Sequence, residues 1–380
     1  MIDYEILKLI WWAFVGVLLI GFALMDGFDL GIGVLLPFLG RTDDERRVIV
    51  NSIGPYWEGN QTWFVTAGGA TFAAWPLVYA AAFSGFYAAL LLVLFALFFR
   101  PAGIGYRSKV ADPRWRNFWD WGVFIAGAVP AIVFGVAFGN LLQGVPFRFD
   151  AATMVITYSG SFWQLLNPFG LLAGVISLAM LVMHGATYLQ IRTVGAIEQR
   201  ARTAAKVAGI ALIVLFALAG VWVAYAMSGY RVVASPAAGS AFAPMAKTVA
   251  VVPGGWLMNF AMHPWMSLAP VAAFAGALGA ILFSGRGRAR LAFLGSAASV
   301  AGVILTAGFA LFPFVMPSST YPDSSLTAWN AVSSHKTLNI MFWVVVVMLP
   351  LVIGYTAWVF HVLRGKITVE HIRETTHESY

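Results

Sequence analysis

Nine stretches of this chain are each long and apolar enough to cross a lipid bilayer. They fall at roughly 9–36, 53–75, 77–99, 118–142, 163–187, 205–227, 264–283, 290–313 and 338–362, and a spanning helix needs about 20 apolar residues. Hydrocarbon offers no water to backbone amides, so runs of this kind cross as helices that satisfy their own hydrogen bonds. With 60% hydrophobic and 10% charged residues, nothing is polar enough to make a separate soluble unit. The reading is an all-α polytopic membrane protein with nine transmembrane helices, forming one transmembrane domain over residues 1–380. The first run is longer than required, so it either tilts or ends as an interfacial leg after Asp29. Its leading MIDYEILKLIWW lacks a basic start and a small-residue cleavage site, so it is expected to be retained.

Loop charge sets the orientation. Arg41, Arg46 and Arg47 lie in the loop at about 40–50, and Arg100, Arg107, Lys109, Arg114 and Arg116 in the one at 100–116. Arg192, Arg200, Arg202 and Lys206 fall at 188–206, Arg286, Arg288 and Arg290 at 284–290, and Arg364, Lys366 and Arg373 in the tail 363–380. Nine spans put all five segments, and with them most of the 23 basic residues, on one side. The positive-inside rule then places the N-terminus outside and the C-terminus in the cytoplasm. The outer loops, about 143–162, 228–262 and 314–337, are longer and rich in Pro, Gly, Ser and aromatics. The net charge of +7 is therefore a topology signal, and no nucleic-acid partner is expected. Cysteine is absent, which excludes disulfides and thiolate ligation of metal or haem.

Only three of the sixteen acids fall within sequence at lipid depth: Asp26, Asp29 and Glu58. A carboxylate in hydrocarbon is costly, so it is paired, hydrated or protonated, and a functional role is the default reading. Asp26 and Asp29 are three residues apart and share a helical face. Asp29 lies twelve residues before Arg41, about 18 Å of helix, and Glu58 lies eleven beyond Arg47. Both sit in the proposed cytoplasmic half at similar depth, with Trp57, Asn60 and Gln61 beside Glu58. One reading is a hydrated relay carrying protons inward. The bland reading starts a helix at Pro55, which makes Glu58 a first-turn acid favoured by the helix dipole, and ends the first helix near Asp29. Asp120, in RNFWDWG, reads as a helix-start acid or as the mouth of a proton path.

The histidines, His184, His263, His335, His361, His371 and His377, lie near span ends or in the tail and read as interfacial polar residues. No pair has ligand spacing, and there is no phosphate-cradling loop or Ser/His/Asp constellation. Gly27 with Gly31 and Gly135 with Gly139 have the spacing of close helix contacts.

At this point the chain resembles a known family. IGFALMDGFDLGIGVL (20–35), NSIGPYWEGNQTWF (51–64), FFRPAGIGYRSK (98–109), WRNFWDWG (115–122), LLNPFGLLAG (165–174) and FPFVMPSST (312–320) look like subunit II of the cytochrome bd-type ubiquinol oxidases of bacterial inner membranes. DGFDLG and PYWEGNQ are the most specific stretches. The segment around 232–262 and the loop at 284–290 find no match. The resemblance implies two four-helix bundles plus a peripheral helix, in a multi-pass protein of the bacterial cytoplasmic (inner) membrane. It implies a complex that oxidises quinol, reduces dioxygen to water and builds a proton-motive force by vectorial proton uptake. Low-spin haem b, high-spin haem b and haem d would be ligated by a haem-bearing subunit I, with no ligand or metal site in this chain. A small single-span subunit is implied as a further partner, beside membrane lipids and quinol. Asp29 and Glu58, with Trp57, Asp26 and Asp120, would form this chain's part of the cytoplasmic proton path, and Trp63 is a candidate for bordering a dioxygen path. The chain would not be active alone. Two other readings use the same residues: a proton-coupled secondary transporter or ion channel, which would act alone, and a purely structural scaffold subunit.

Overall fold

The computed structural model describes residues 2–150, 153–235 and 245–374. Its helices are α1 (Tyr4–Leu39), α2 (Asp43–Ile53), α3 (Trp57–Ala74), α4 (Pro76–Gly85), α5 (Tyr87–Leu97), α6 (Phe99–Tyr106), α7 (Pro113–Gln143), α8 (Phe162–Leu165), α9 (Pro168–Arg192), α10 (Gly195–Tyr225), α11 (Met258–Met262), α12 (Leu268–Gly285), α13 (Ala289–Leu311), α14 (His335–Val362) and α15 (Val369–Glu374). Their starts are written in the sequence. Asp3 accepts from the amides of Glu5 and Ile6 ahead of α1. Thr42 and Glu45 close a capping box on α2. Asp112 and Asn167 each cap a helix whose first residue is proline, α7 and α9. These side chains bond amides that no helical carbonyl reaches.

Eight helices among the described residues are long and apolar enough to cross a membrane. The difference from the nine sequence runs lies at 53–75. That run separates into α2, a turn containing Pro55, and α3, whose opening WEGNQTW is too polar to count. The run 77–99 is also interrupted, at Phe86 between α4 and α5. The first run neither ends at Asp29 nor bends into a leg: α1 continues for 36 residues through Pro37. Three segments expected as cytoplasmic loops are largely helical. Residues 40–50 contain most of α2, 100–116 contain most of α6 and the start of α7, and 188–206 leave only Thr193 and Val194 between α9 and α10. The reason is that GAIEQRARTAAK is made of strong helix formers, with Glu198 bonded to Arg202 one turn on. Loss of hydropathy marks the end of the membrane and not the end of the helix.

α1, α7 and α9 pack with their backbones almost touching. A side-chain carbon at Gly27 would sit 2.8 Å from Leu181, and one at Gly31 would run into the Leu181 carbonyl itself. A side-chain carbon at Gly33 would come within 2.9 Å of the Val123 carbonyl of α7, and one at Gly185 of α9 within 2.7 Å of the Ile32 amide. At Gly139 an added side-chain carbon would lie 3.0 Å from the Gly170 Cα of α9. Small residues permit this approach where lipid gives no hydrophobic drive between helices. Gly31→Val is therefore expected to push α1 off α9, at a cost of about 3 kcal/mol or more; thermal unfolding of the purified complex measures it, and an unchanged midpoint contradicts this packing.

α10, α12 and α13 extend the body beyond α9. α14 is peripheral: of its residues only Leu338 is buried. At the end away from the arginine-rich segments, three antiparallel hairpins, β1 (Phe147–Phe149) with β2 (Ile156–Tyr158), β3 (Ser228–Ala234) with β4 (Thr248–Pro253), and β5 (Phe314–Met316) with β6 (Leu326–Thr327), form a cap. Phe147 lies opposite Tyr158, Tyr230 opposite Val251 and Phe314 opposite Thr327. They interlock: Val145 N donates to Pro317 O at 2.9 Å and Val249 N to Asp323 Oδ1 at 2.7 Å.

At the arginine end, Glu45 binds Arg200 and accepts from the amides of Arg41 and Thr42. Burial would push its carboxyl up, but those donors outweigh it and hold it below its ordinary value of 4.5. A depressed folded-state pKa contributes stability above the unfolded value and loses it as pH falls through the folded one. Glu45→Gln is thus expected to lower the unfolding midpoint by a constant amount between pH 6 and 8, with the gap closing below about pH 4.5; a gap independent of pH contradicts the pairing.

Candidate functional site

The acids of α1 sit where α1 meets α3 and the end of the α5–α6 segment. Asp26 and Asp29 are each 2% exposed and Arg100 is 3% exposed. Arg100 Nη1 donates to Asp26 Oδ1 at 2.5 Å, and Nη2 reaches Oδ2 at 3.4 Å. Arg100 is not the loop cation that its position after an apolar run suggests. It is one half of an ion pair inside the helix bundle, because α6 continues the helical path of α5 past the apolar run and turns its guanidinium inward.

Asp29 is held differently. Asn60 Nδ2 donates to its Oδ2 at 2.8 Å, while its Oδ1 is buried with no partner among the described residues. Its hydrogen-bond partner is a neutral amide. Trp57, at the start of α3, is buried 8% exposed against Phe28 and Ile32. Glu58 is brought to the same level by its place two residues before Asn60, but it is exposed on the first turn of α3. It is not enclosed within this chain as its sequence context suggested, since α3 turns Trp57 and Asn60 inward and Glu58 outward. Thr62, Thr66 and Gly69 continue that outward stripe at helical spacing. Trp63 covers Gly21 of α1, with Cζ3 2.5 Å from where a side-chain carbon would start.

Asp120 is fully buried and belongs to a second cluster. Arg107 Nε donates to its Oδ1 at 2.5 Å and Arg46 Nη1 to its Oδ2 at 2.8 Å. Arg107 Nη2 also reaches Asp43 Oδ1 at 3.0 Å, and Asp43 in turn binds Arg116 at 2.5 Å. Asp43 is partly exposed, so this cluster runs from the surface inward. Asp120 is more than a helix-start acid: it is the buried anchor of two arginines. Asp120 lies one turn below Val123, the residue that meets Gly33, and Asp26 lies seven residues above Gly33 on α1. At 1.5 Å per residue the two clusters stand roughly 15 Å apart along the bundle. Asp29 and Asn60 lie between them.

His184 is not interfacial. It is buried in α9, with Nδ1 2.8 Å from Ser296 Oγ and Nε2 3.0 Å from Leu24 O. Phe293 stacks on its ring at 4.7 Å. Both nitrogens are engaged and the ring face is covered, so this position does not fit a haem. Among the described residues, no three His, Asp or Glu converge as a metal site would require. His377 and the side chain of His371 lie outside the described residues.

The sequence singled out the acids but missed Arg100, Arg107 and Arg46 as their partners. The one usable signal was Arg100 itself, adjacent to an apolar run with no polar residue to separate it from the membrane.

Comparison with known proteins identifies the family. The family model described as cytochrome bd terminal oxidase subunit II matches residues 7–363. The chain is 55% identical over all 380 residues, and the full length of both proteins, to cytochrome bd-I ubiquinol oxidase subunit 2 of Escherichia coli (strain K12). It is 32% identical over 363 residues to cytochrome bd ubiquinol oxidase subunit 2 of Bacillus subtilis (strain 168), covering 94% of this chain and 96% of that one. Among solved structures, the bd oxidase from Geobacillus thermodenitrificans matches with a TM-score of 0.66 at 14% identity, covering 94% of this chain and 98% of the other, which speaks for the fold. The chain belongs to the cytochrome bd terminal oxidase subunit II family.

Proposed function

We propose that this chain is the subunit of a respiratory ubiquinol oxidase that brings protons from the cytoplasm to the oxygen chemistry of a haem-bearing partner. The complex resides in the bacterial inner membrane and contains haem. The finer assignments are two b haems and one d haem, all ligated by subunit I, with dioxygen reduced to water and the proton uptake contributing to the proton-motive force. The engaged nitrogens of His184 support leaving ligation to the partner. A small single-span third subunit completes this reading.

The observation that carries the proposal is Asp29: a buried carboxyl whose Oδ1 has no partner among the described residues and whose Oδ2 rests on a neutral amide. Asp26 cannot exchange a proton without leaving Arg100 unpaired, whereas Asp29 can. Protons enter at the arginine end past Asp43, Arg107 and Asp120, reach Asp29, and leave through Asn60 toward Glu58. Trp57 closes the apolar side of that step. Trp63, packed against Gly21, borders the dioxygen path in this reading.

α3 supplies the direction. Its outward stripe, Glu58, Thr62 and Thr66, is too polar for lipid. The Thr62 and Thr66 hydroxyls turn back on the carbonyls of Gly59 and Thr62 at 2.6 and 2.8 Å, but Glu58 has no such recourse. We assign this stripe to the contact with subunit I. α3 then crosses the membrane as the ninth span, shielded by the partner, with the N-terminus outside and the C-terminus cytoplasmic. Two four-helix bundles with α14 at the periphery follow from that count.

The test uses the whole complex in vesicles. Glu58→Gln is expected to lower ubiquinol-driven oxygen consumption and the accompanying uptake of protons together, by about tenfold, with haem content unchanged. Full turnover and full proton uptake in this variant would contradict the exit through Glu58.

A further inference from the structure

A cavity of about 970 Å³ lies between α14 and the body. We infer that this cavity holds one anionic phospholipid, with its phosphate at the arginine end and its acyl chains between α14 and α1, α3 and α13.

The two ends of the cavity differ in chemistry. Its depth is lined by Phe28, Trp63, Phe293, Ile353 and Ala357, with no charged group among them. Its mouth carries Arg192, Arg288, Arg290, Arg364 and Lys366 against the single carboxylate of Glu198. Glu198 is already shared by Arg202 and Lys366. Arg288 and Arg290 are exposed and have no carboxylate within ion-pairing distance among the described residues. Among the described residues, Arg364 has only a 3.4 Å contact from Nη1 to His361 Nδ1. Arg192 is 7% exposed, and its Nη1 is spent on the carbonyls of Leu363 and Gly365 at 2.7 and 2.6 Å. Its Nε is buried and has no acceptor among the described residues.

A buried guanidinium nitrogen without an acceptor is costly. Four cations beyond the Glu198 pair repel one another at the edge of a low-dielectric layer. One phosphodiester at the mouth offsets that repulsion. Basic pockets between transmembrane helices on the cytoplasmic side are suited to anionic headgroups, and this mouth lies at the end to which the loop charges assign the cytoplasm. The apolar depth decides the source of the phosphate. A free anion would occupy the mouth and leave the aromatic walls empty, while a diacyl lipid fills both. The lipid would also brace α14, of whose residues only Leu338 is buried. Near this end α14 meets the body through Phe360 stacked on Tyr56 at 4.6 Å and through the Leu363 carbonyl, which accepts from Tyr56 Oη at 2.9 Å and from Arg192.

The test is lipid retention by the purified, delipidated complex. Native mass spectrometry and thermal unfolding are followed with added phosphatidylglycerol, phosphatidylcholine or inorganic phosphate. One phosphatidylglycerol is expected to be retained and to raise the unfolding midpoint, with phosphatidylcholine bound more weakly. Arg288→Ser/Arg290→Ser is expected to weaken retention by about tenfold or more, and these exposed positions leave the fold intact. Ala357→Trp, which fills the apolar wall, is expected to abolish retention while leaving the arginines in place. Equal retention by the arginine variant, equal binding of the zwitterionic lipid, or a full midpoint shift from inorganic phosphate alone overturns the assignment.

Discussion

Arg100→Leu is expected to destabilise the complex by about 3–5 kcal/mol, enough to deplete it from the membrane. The mutation removes a guanidinium 3% exposed and leaves the Asp26 carboxylate, 2% exposed, with neither charge partner nor water. The magnitude comes from the stranded charge and not from the pair, since a buried ion pair is close to neutral against an apolar replacement of similar size. The double variant Arg100→Leu/Asp26→Leu is therefore expected to recover most of the loss. The measurement is a cycle of unfolding midpoints for wild type, both single variants and the double. A mild Arg100→Leu, or a double variant no better than the single, would mean that water reaches Asp26 and that the pair is not sealed.

The sequence and the structure part company at places with a common cause. Hydropathy located the membrane because transfer cost is a property of each residue alone. Asp26 and Asp29 were conspicuous for that reason, as were the glycines that let α1 approach α9. What hydropathy misses is direction around a helix axis. Arg100 scored as a loop cation, yet α6 aims it at Asp26. Glu58 scored as an intramembrane acid, yet α3 aims Asn60 at Asp29 and turns Glu58 outward. The arginine-rich segments read as loops for a related reason: Arg200 and Lys206 signal water, but water does not end a helix whose residues favour it. His184 fails differently. Its two partners, Ser296 and the Leu24 carbonyl, come from α13 and α1, and no local pattern in α9 announces them. The family resemblance supplied the complex and its chemistry, while the pairing of each acid with its own arginine or amide had to be read from the packing.

Those pairings separate two kinds of buried acid, and Asp29→Asn tests the separation. Asparagine keeps the shape, and its side-chain oxygen still accepts from Asn60 Nδ2, so folding and haem content are expected to be unchanged. What it removes is a group that can gain and lose a proton. Ubiquinol-driven oxygen consumption is expected to fall by about tenfold or more, within the range that loss of a positioned proton carrier produces. Asp29→Glu, which restores the carboxyl one methylene further out, is expected to return part of the rate. Asp26→Asn provides the contrast. There the loss leaves Arg100 without its counter-charge, so instability appears before any loss of turnover per intact complex. If Asp29→Asn assembles with full haem and keeps wild-type turnover, protons reach the partner by a route that avoids α1. If it loses haem as well as rate, Asp29 is structural in the way Asp26 is. Rate lost with haem retained and rate partly restored by glutamate together match a carboxyl that moves protons, because packing alone would not distinguish asparagine from glutamate in that order.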